Sequence, residues 1–247
     1  MLSKKVIALT GGGGGIGSEI AKSFATEGAI VYSLDLWNKK PSATGDPTSI
    51  RRLEVDLRKP IEIEKAFEII KERHGHLDSL VVAAGIQLHG QDAAIDQVSL
   101  ETWNRTIEIN LTGAFLSIKY AMPLLVASGS GSLIIIGSPT GLTMSGAGYS
   151  AYSASKAGMM ALSRIVAADY AKDGVRSNVI VPGTIVTPLI EDLISDSATL
   201  DQLLKGTPIG RLGIPQDLVG IANWLASDQS KFATGACFTI DGGLTAR

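Results

Sequence analysis

Little in this 247-residue chain points to a disulfide framework, a metal centre, a highly charged ligand or a membrane. Its one cysteine, Cys237, excludes an internal disulfide and fits a reducing compartment, so a cytoplasmic location is expected. The thiol itself reads as a small buried apolar residue near the last strand. Three histidines, His74, His76 and His89, fall at a helix end and in a loop. None has a carboxylate at ligand spacing, so they read as surface residues and no metal is expected. The 22 basic and 24 acidic residues nearly cancel, which leaves no field for nucleic acid or an acidic membrane surface. No run of 18 apolar residues occurs, and no long apolar segment precedes the first strand at Val6. Neither a bilayer span nor a secretory signal is therefore expected. What is plentiful is apolar residues, at 45%, and glycine, at 28 residues. That composition suits one sizeable core, and a single domain over 1–247 is expected.

Five of those glycines stand together. Val6-Ile7-Ala8-Leu9-Thr10 is a short apolar run, Gly11 to Gly15 follow, and Ile16-Gly17-Ser18-Glu19 begins helix-forming sequence. Strand, tight turn and helix follow in that order. Glycine permits positive φ and close approach of a ligand, and the N–H groups and dipole of a helix start attract phosphate. No Gly-Lys-Ser/Thr closes the run, which argues against a P-loop. A dinucleotide cradle instead requires an acidic residue about 20 positions further on, at the end of the next strand. Asp35 stands there, after the strand-like run 29–35. Its carboxylate suits the two ribose hydroxyls of adenosine and repels a 2′-phosphate, which favours NAD over NADP. Lys39 and Lys40, just beyond, read as a solvated loop.

Strand and helix signals alternate along the whole chain. Strand-like runs are 5–10, 29–35, 51–56, 78–84, 132–137, 175–181 and 235–240; helical runs lie near 16–27, 60–74, 99–127, 151–173, 188–205 and 215–227. Pro60 suits a first helical turn, Gly75 and Gly174 suit helix ends, and Pro215 with Asp217 suits a helix start. The alternation predicts an α/β fold: one doubly wound Rossmann-type domain, a seven-stranded parallel sheet with helices on both faces. The small-residue stretch 141–150 is then a loop over the carboxyl ends of the strands, where ligands bind in such sheets.

Tyr152 and Lys156 lie four apart on a predicted helix and share one face. An ammonium beside a phenol stabilises the phenolate and is expected to lower its pKa by about 1–3 units. That would make Tyr152 a general acid or base near neutral pH. Ser138 ends the run 132–137; its hydroxyl can bind a substrate oxygen or cap a turn. Asn110 interrupts the helical run 99–127 and can kink it or hold a water. Pro182-Gly183-Thr184-Ile185-Val186-Thr187-Pro188 follows the run 175–181, and its backbone with the Thr187 hydroxyl can hold a carboxamide.

Taken together these motifs resemble the compact, single-domain short-chain dehydrogenase/reductase family across nearly the whole chain. The resemblance rests on Thr10-Gly11-x-x-x-Gly15-x-Gly17, Asp56, Asn110, Ser138, Tyr152-x-x-x-Lys156, Pro182-Gly183 and Asp241-Gly242-Gly243. It implies a catalytic set. Tyr152 exchanges the proton, Lys156 binds the nicotinamide ribose, Ser138 orients the substrate oxygen, and Asn110 positions a relay water. It implies an NAD site in which Gly11, Gly14, Gly15, Ile16 and Gly17 cradle the pyrophosphate and Asp35 takes the ribose. Asp56 and Leu57 flank the adenine, and Ile185 and Thr187 hold the carboxamide beside Pro182 and Gly183. Three departures from the family pattern stand out. Val82-Ala83-Ala84-Gly85 replaces Asn-Asn-Ala-Gly, which leaves only backbone contacts to the cofactor at Ala84 and Gly85. Ser138 and Tyr152 are one residue further apart than is usual. Gly14 stands where NADP-preferring relatives often carry arginine, in agreement with Asp35.

The implied activity is hydride transfer between nicotinamide and a secondary alcohol or its ketone. The alternatives are a 3-oxoacyl carrier-protein reductase and a non-catalytic dinucleotide sensor. The first usually favours NADP and needs a basic patch, which Ser128-Gly129-Ser130-Gly131-Ser132 does not offer. The second typically loses the tyrosine or lysine, and both are present. Substrate choice falls to the loop 139–149 and to 188–210, which reads as a mobile lid. Leu142, Met144, Leu189 and Ile190 are either pocket or packing residues, and sugar, hydroxy acid, cyclic alcohol and steroid stay open. Phe115, Ile118, Met122, Met159, Met160 and Leu162 read as apolar surface beyond what one sheet face covers. With the resemblance they imply a homotetramer.

Overall fold

The computed structural model describes residues 1–37, 49–144 and 146–246; Lys39, Lys40 and Ser145 lie outside them. Seven strands form one parallel sheet: β1 (Val6–Thr10), β2 (Ile30–Asp35), β3 (Ile50–Glu54), β4 (Ser79–Val82), β5 (Ser132–Ile136), β6 (Arg176–Pro182) and β7 (Cys237–Ile240). Their order is β3-β2-β1-β4-β5-β6-β7, so the winding reverses between β1 and β4. A ligand crevice opens at such a reversal.

Period-two alternation sends side chains to two cores. Val6 and Ala8 of β1, with Leu133 and Ile135 of β5, join one cluster. It is closed by α2 (Pro60–His74), α4 (Gly113–Ala127) and α5 (Ser150–Asp169) through Phe67, Leu125 and Met159. Ile7, Leu9, Ile134 and Ile136 face the other way and meet α1 (Gly15–Thr26) and α8 (Val219–Ala226) through Ile20, Phe24 and Leu225. Pro60 opens α2, and Gly75, at φ 72°, closes it by donating to the Lys71 carbonyl.

The helical run 99–127 is not one α-helix. α3 (Leu100–Ile107) passes into a π-turn, Glu108–Thr112, and then into α4. Asn110 sits inside that turn, completely buried, as a kink there requires. By length and a mean hydropathy of 1.4 the stretch Leu100–Ala127 could span a bilayer, but half of its most apolar window is buried inside the fold. The run 151–173 ends as α5 at Asp169 with a 3-10 turn, Ala171–Asp173. The run 188–205 divides into α6 (Glu191–Ser195) and α7 (Ser197–Gly206), the latter capped by the Asp196 carboxylate accepting from Thr199 N–H at 2.9 Å.

Other expectations change. Ile118, Met122, Met159 and Met160 are buried in the chain's own core and Leu162 packs against it, so only Phe115 of that set is an exposed apolar residue. α4 and α5 must cover a wide sheet face, which consumes the apolar stripe. Cys237 opens β7 half-buried rather than buried. The histidines are not simply solvated either. His74 Nε2 lies 2.9 Å from the Tyr32 hydroxyl, and His89 Nδ1 lies 3.1 Å from that of Tyr149.

Candidate active site

The glycine turn crosses the sheet reversal. Gly11 has φ +76°, and a Cβ there would stand 2.6 Å from the Ala84 backbone. A Cβ on Gly17 would overlap the Gly11 carbonyl. Only glycine lets turn, helix and β4 exit pack this closely. Gly14 is the N-cap of α1 and supplies no side chain to the first-turn N–H groups, and no acidic residue occupies that turn. The helix start is thus open to an anion. At the end of β2 the Asp35 carboxylate accepts from Gly13 N–H at 2.9 Å and from Leu36 N–H at 2.7 Å, which fixes it beside the turn.

These groups line one cleft of about 480 Å³. Gly11, Gly14, Gly15, Ile16 and Gly17 form one wall and Asp35 an edge. Asp56, Leu57, Ala84, Gly85 and Thr187 complete it among the sequence-expected residues. Uncapped N–H donors at the centre and a carboxylate at one end form a donor set that fits a dinucleotide. Leu189, read as pocket or packing, lines the cleft, and two charged lining residues were not anticipated from the sequence: Arg58 and Arg105. Arg58 grips Asp56, with Nη2 donating to Oδ2 at 2.6 Å and Nε to Oδ1 at 2.9 Å. That hydrogen bonding holds the Asp56 carboxyl below its ordinary pKa, and it engages the Arg58 charge. An aspartate two residues before an arginine, in a turn, was the available signal. Pro182 ends β6, whereas Gly183 and Ile185 line a separate cavity of about 170 Å³ beside Arg211, Asp217 and Asp241. The structure does not bring these three into the larger cleft.

The second group of residues meets this cleft at Gly85. A Cβ on Gly85 would lie 3.4 Å from Asn110 Oδ1 and 3.6 Å from Lys156 Nζ. Lys156 is buried, donates to the Ile136 carbonyl at 2.9 Å, and sits 5.7 Å from the centre of the Tyr152 ring. Ser138, also buried, hydrogen-bonds the Tyr152 phenol and caps the 3-10 turn Pro139–Gly141, the second of its two readings. The Asn110 amide bridges Ile86, accepting its N–H at 2.8 Å and donating to its carbonyl at 2.9 Å, and it donates to Ser155 Oγ at 3.1 Å. Its side chain is a brace between the β4 exit and α5.

The expected acidity of Tyr152 is corrected. Burial raises the phenol above its ordinary pKa, and the Ser138 hydrogen bond opposes this only in part. Burial also lowers Lys156 to about 8. Spacing places the amine beside the phenol as expected, and burial disfavours the charged form of each. Of the residues read as pocket or packing, Leu142, Met144 and Leu189 are exposed and Ile190 is buried.

Known proteins match this chain along nearly its whole length. A family model described as enoyl-(acyl carrier protein) reductase matches residues 11–245. The chain is 38% identical over 250 residues to 2,5-dichloro-2,5-cyclohexadiene-1,4-diol dehydrogenase LinX of Sphingobium indicum, covering 98% of this chain and 96% of that protein. It is 35% identical over 260 residues to the NADP-dependent (R)-specific alcohol dehydrogenase of Lentilactobacillus kefiri, covering 100% and 98%. Among solved structures it is similar to a gluconate 5-dehydrogenase from Burkholderia cenocepacia in complex with NADP and tartrate. That match has a TM-score of 0.91 and 30% identity, and covers 100% of this chain and 97% of the other.

Proposed function

The chain belongs to the short-chain dehydrogenase/reductase family, and from that premise we propose that it is an NAD-preferring dehydrogenase of a small secondary alcohol or its ketone. The observation that carries the reading is the meeting of Ser138, Tyr152 and Lys156, with Lys156 Nζ beside Gly85 of the glycine-lined cleft. The dinucleotide, when bound, supplies or accepts the hydride. The chain's own residues do the rest. First-turn N–H groups of α1 hold the pyrophosphate, and Asp35 takes the ribose hydroxyls and repels a 2′-phosphate. Arg58 does not offset that repulsion, because its guanidinium is bound to Asp56. Asp56 and Leu57 flank the adenine, Ala84 and Gly85 offer backbone contacts, and Thr187, which lines the cleft, holds the carboxamide. Tyr152 gives its proton to the carbonyl oxygen or takes it from the alcohol, Ser138 orients that oxygen, and Lys156 binds the nicotinamide ribose. Asn110 braces Ile86, and the widened turn around it is the place for a relay water.

The segment 188–210 acts as a lid, with Pro188 and Leu189 already lining the cleft. Phe115 on α4 and Ile165 on α5 are exposed apolar residues suited to pairing in a homotetramer, which light scattering would measure. A cytoplasmic location fits the lone, half-buried Cys237. One relative favours a second reading: 3-oxoacyl-[acyl-carrier-protein] reductase FabG of Thermotoga maritima is 31% identical over 248 residues, covering 98% of each chain. Turnover of a 3-oxoacyl carrier-protein thioester in preference to free alcohols and ketones would favour it. The test of the main reading is a cofactor-reduction screen over secondary alcohols, with NAD and NADP in parallel, on the wild type and Tyr152→Phe. Turnover with NAD that falls about 10²- to 10⁴-fold in the variant is expected. Full turnover by Tyr152→Phe would refute the mechanism.

A further inference from the structure

The helix that carries Tyr152 and Lys156 does not cap itself. Four N–H groups at a helix start lack partners within the helix. The N-cap of α5, Tyr149, offers no side-chain hydrogen bond, though its carbonyl accepts from Ser153 N–H at 3.0 Å. The remaining donors are taken by a loop about 60 residues earlier in the chain. Ala151 N–H donates to Asp92 Oδ1 at 3.1 Å, and Tyr152 N–H donates to Asp92 Oδ2 at 2.9 Å. Ser150 reaches the Ala93 carbonyl with its N–H at 3.3 Å and its hydroxyl at 2.7 Å. His89, in the same loop, pairs with Tyr149 at 3.1 Å.

Asp92 is 8% exposed. Its carboxylate is used on main-chain donors: Ala93 N–H at 3.0 Å, besides Ala151 and Tyr152. A buried carboxylate is costly unless bonded and charge-compensated, and the positive end of α5 compensates it. The loop itself is held by Asp92 N–H donating to the Leu88 carbonyl at 2.9 Å, a turn that follows the Ile86 main chain braced by Asn110. One connected path thus runs from Asn110 through the β4 exit loop to the backbone of Tyr152.

We propose that Asp92 is a positioning residue for Tyr152: it fixes the first turn of α5 from outside the helix and so sets where the phenol stands. This rests on the reading of Tyr152 as the proton-transfer group. Asparagine at 92 keeps one acceptor oxygen, and alanine keeps none. A small displacement of a reacting group costs up to about 100-fold in rate, so Asp92→Ala should lower kcat by about 10- to 100-fold. Cofactor affinity should change far less than kcat, because the pyrophosphate cradle is built on α1 and Lys156 stands one turn beyond the backbone that Asp92 holds. Asp92→Asn should recover part of the loss.

The experiment measures kcat, KM and cofactor Kd for both variants, on the secondary alcohol turned over fastest by the wild type, beside Tyr152→Phe and Ser99→Ala. Ser99 caps α3, accepting from Thr102 N–H at 3.1 Å, and Ser99→Ala removes a helix cap at a residue that does not line the cleft. Its expected result is a lowered unfolding midpoint with kcat retained. Asp92→Ala matching Ser99→Ala in kcat, a loss confined to cofactor Kd, or Asp92→Asn no better than Asp92→Ala would each overturn the proposal. Should Asp92→Ala fail to fold, unchanged kcat in Asp92→Asn overturns it and lowered kcat at unchanged Kd supports it. Inactive Tyr152→Phe with fully active Asp92 variants refutes this inference alone; fully active Tyr152→Phe refutes the mechanism beneath it.

Discussion

Replacing Lys156 by methionine should make the protein more stable while removing its activity. Methionine matches the length of the lysine stem and carries no charge. In the fold the amine is buried and its pKa falls from 10.5 to about 8 through desolvation. At ~1.4 kcal/mol per pH unit, that fall corresponds to about 3 kcal/mol of unfavourable charge burial. The substitution also leaves the Ile136 carbonyl without its 2.9 Å donor, and an unsatisfied buried acceptor costs about 1–3 kcal/mol. A net gain of about 0–2 kcal/mol near neutral pH is therefore expected for Lys156→Met. Its pH dependence is diagnostic. Below about 8 the lysine is charged in both the folded and unfolded chain, and the full cost is present. Between about 8 and 10.5 the unfolded chain binds more protons than the folded one, so wild-type stability rises with pH on this account. The advantage of the variant should shrink across that window and reverse above it, where only the lost hydrogen bond remains. Guanidinium unfolding followed by tryptophan fluorescence, at constant m-value, measures this directly. A variant less stable than wild type near neutral pH, or a difference that does not change with pH, would refute the burial argument.

Asp35→Asn should lower the kcat/KM preference for NAD over NADP by about tenfold or more, since it removes a like charge facing the 2′-phosphate; an unchanged ratio refutes the role of Asp35. Gly11→Ala should destabilise the fold by about 2–4 kcal/mol, from positive φ plus overlap with Ala84, as read by denaturant midpoints. Gly14→Ala, with open space around its Cβ position, should cost no more than about 1 kcal/mol of stability and act on cofactor Kd instead. Because burial raises the Tyr152 phenol, alcohol oxidation should accelerate with rising pH and carbonyl reduction should slow, in initial-rate profiles of both directions; a flat oxidation profile would count against Tyr152 as the base.

The strands were legible because a parallel sheet covered on both faces leaves continuous apolar runs, as at 80–82 and 133–136. The edge strand β3 reads Ile50-Arg51-Arg52-Leu53-Glu54 and is marked only by its flanks. Helix interruptions were partly legible. Asn110 announced a break, but the insertion of a π-turn, rather than a kink or a loop, depends on how α3 packs on α5 and α4 on α2 and the sheet. The division of 188–205 into α6 and α7 depends on the Asp196 cap, which sits inside an otherwise helical pattern. The surplus apolar faces of α4 and α5 were misjudged for a related reason. A residue's exposure depends on how much sheet its helix must cover, and periodicity carries no information about that width.

At the site, what depended on local spacing was visible and what depended on tertiary placement was not. The glycine turn, Asp35, Ser138 and the Tyr152–Lys156 pair are sequence-local or end a strand, so position along the chain suffices. Asp92 acts across a separation of about 60 residues and sits in no motif. The direction of the Tyr152 pKa is also tertiary. At an effective dielectric of ~20, an ammonium and a phenolate about 6 Å apart attract by roughly 3 kcal/mol. That attraction exists only when both groups are charged at once, whereas burial acts on each charged form separately. With the phenol raised and the amine lowered, the free chain holds Tyr152 as a proton donor beside a weakened cation. In that resting state it is prepared to protonate a carbonyl. Removing a proton from an alcohol first requires the phenol to ionise, and the Ser138 hydrogen bond favours that ionisation, as does the nearby Lys156 amine while it is charged. Ser138 therefore has two tasks of opposite sign in the two directions. It steadies the substrate oxygen in both, but it assists Tyr152 only when Tyr152 must act as a base.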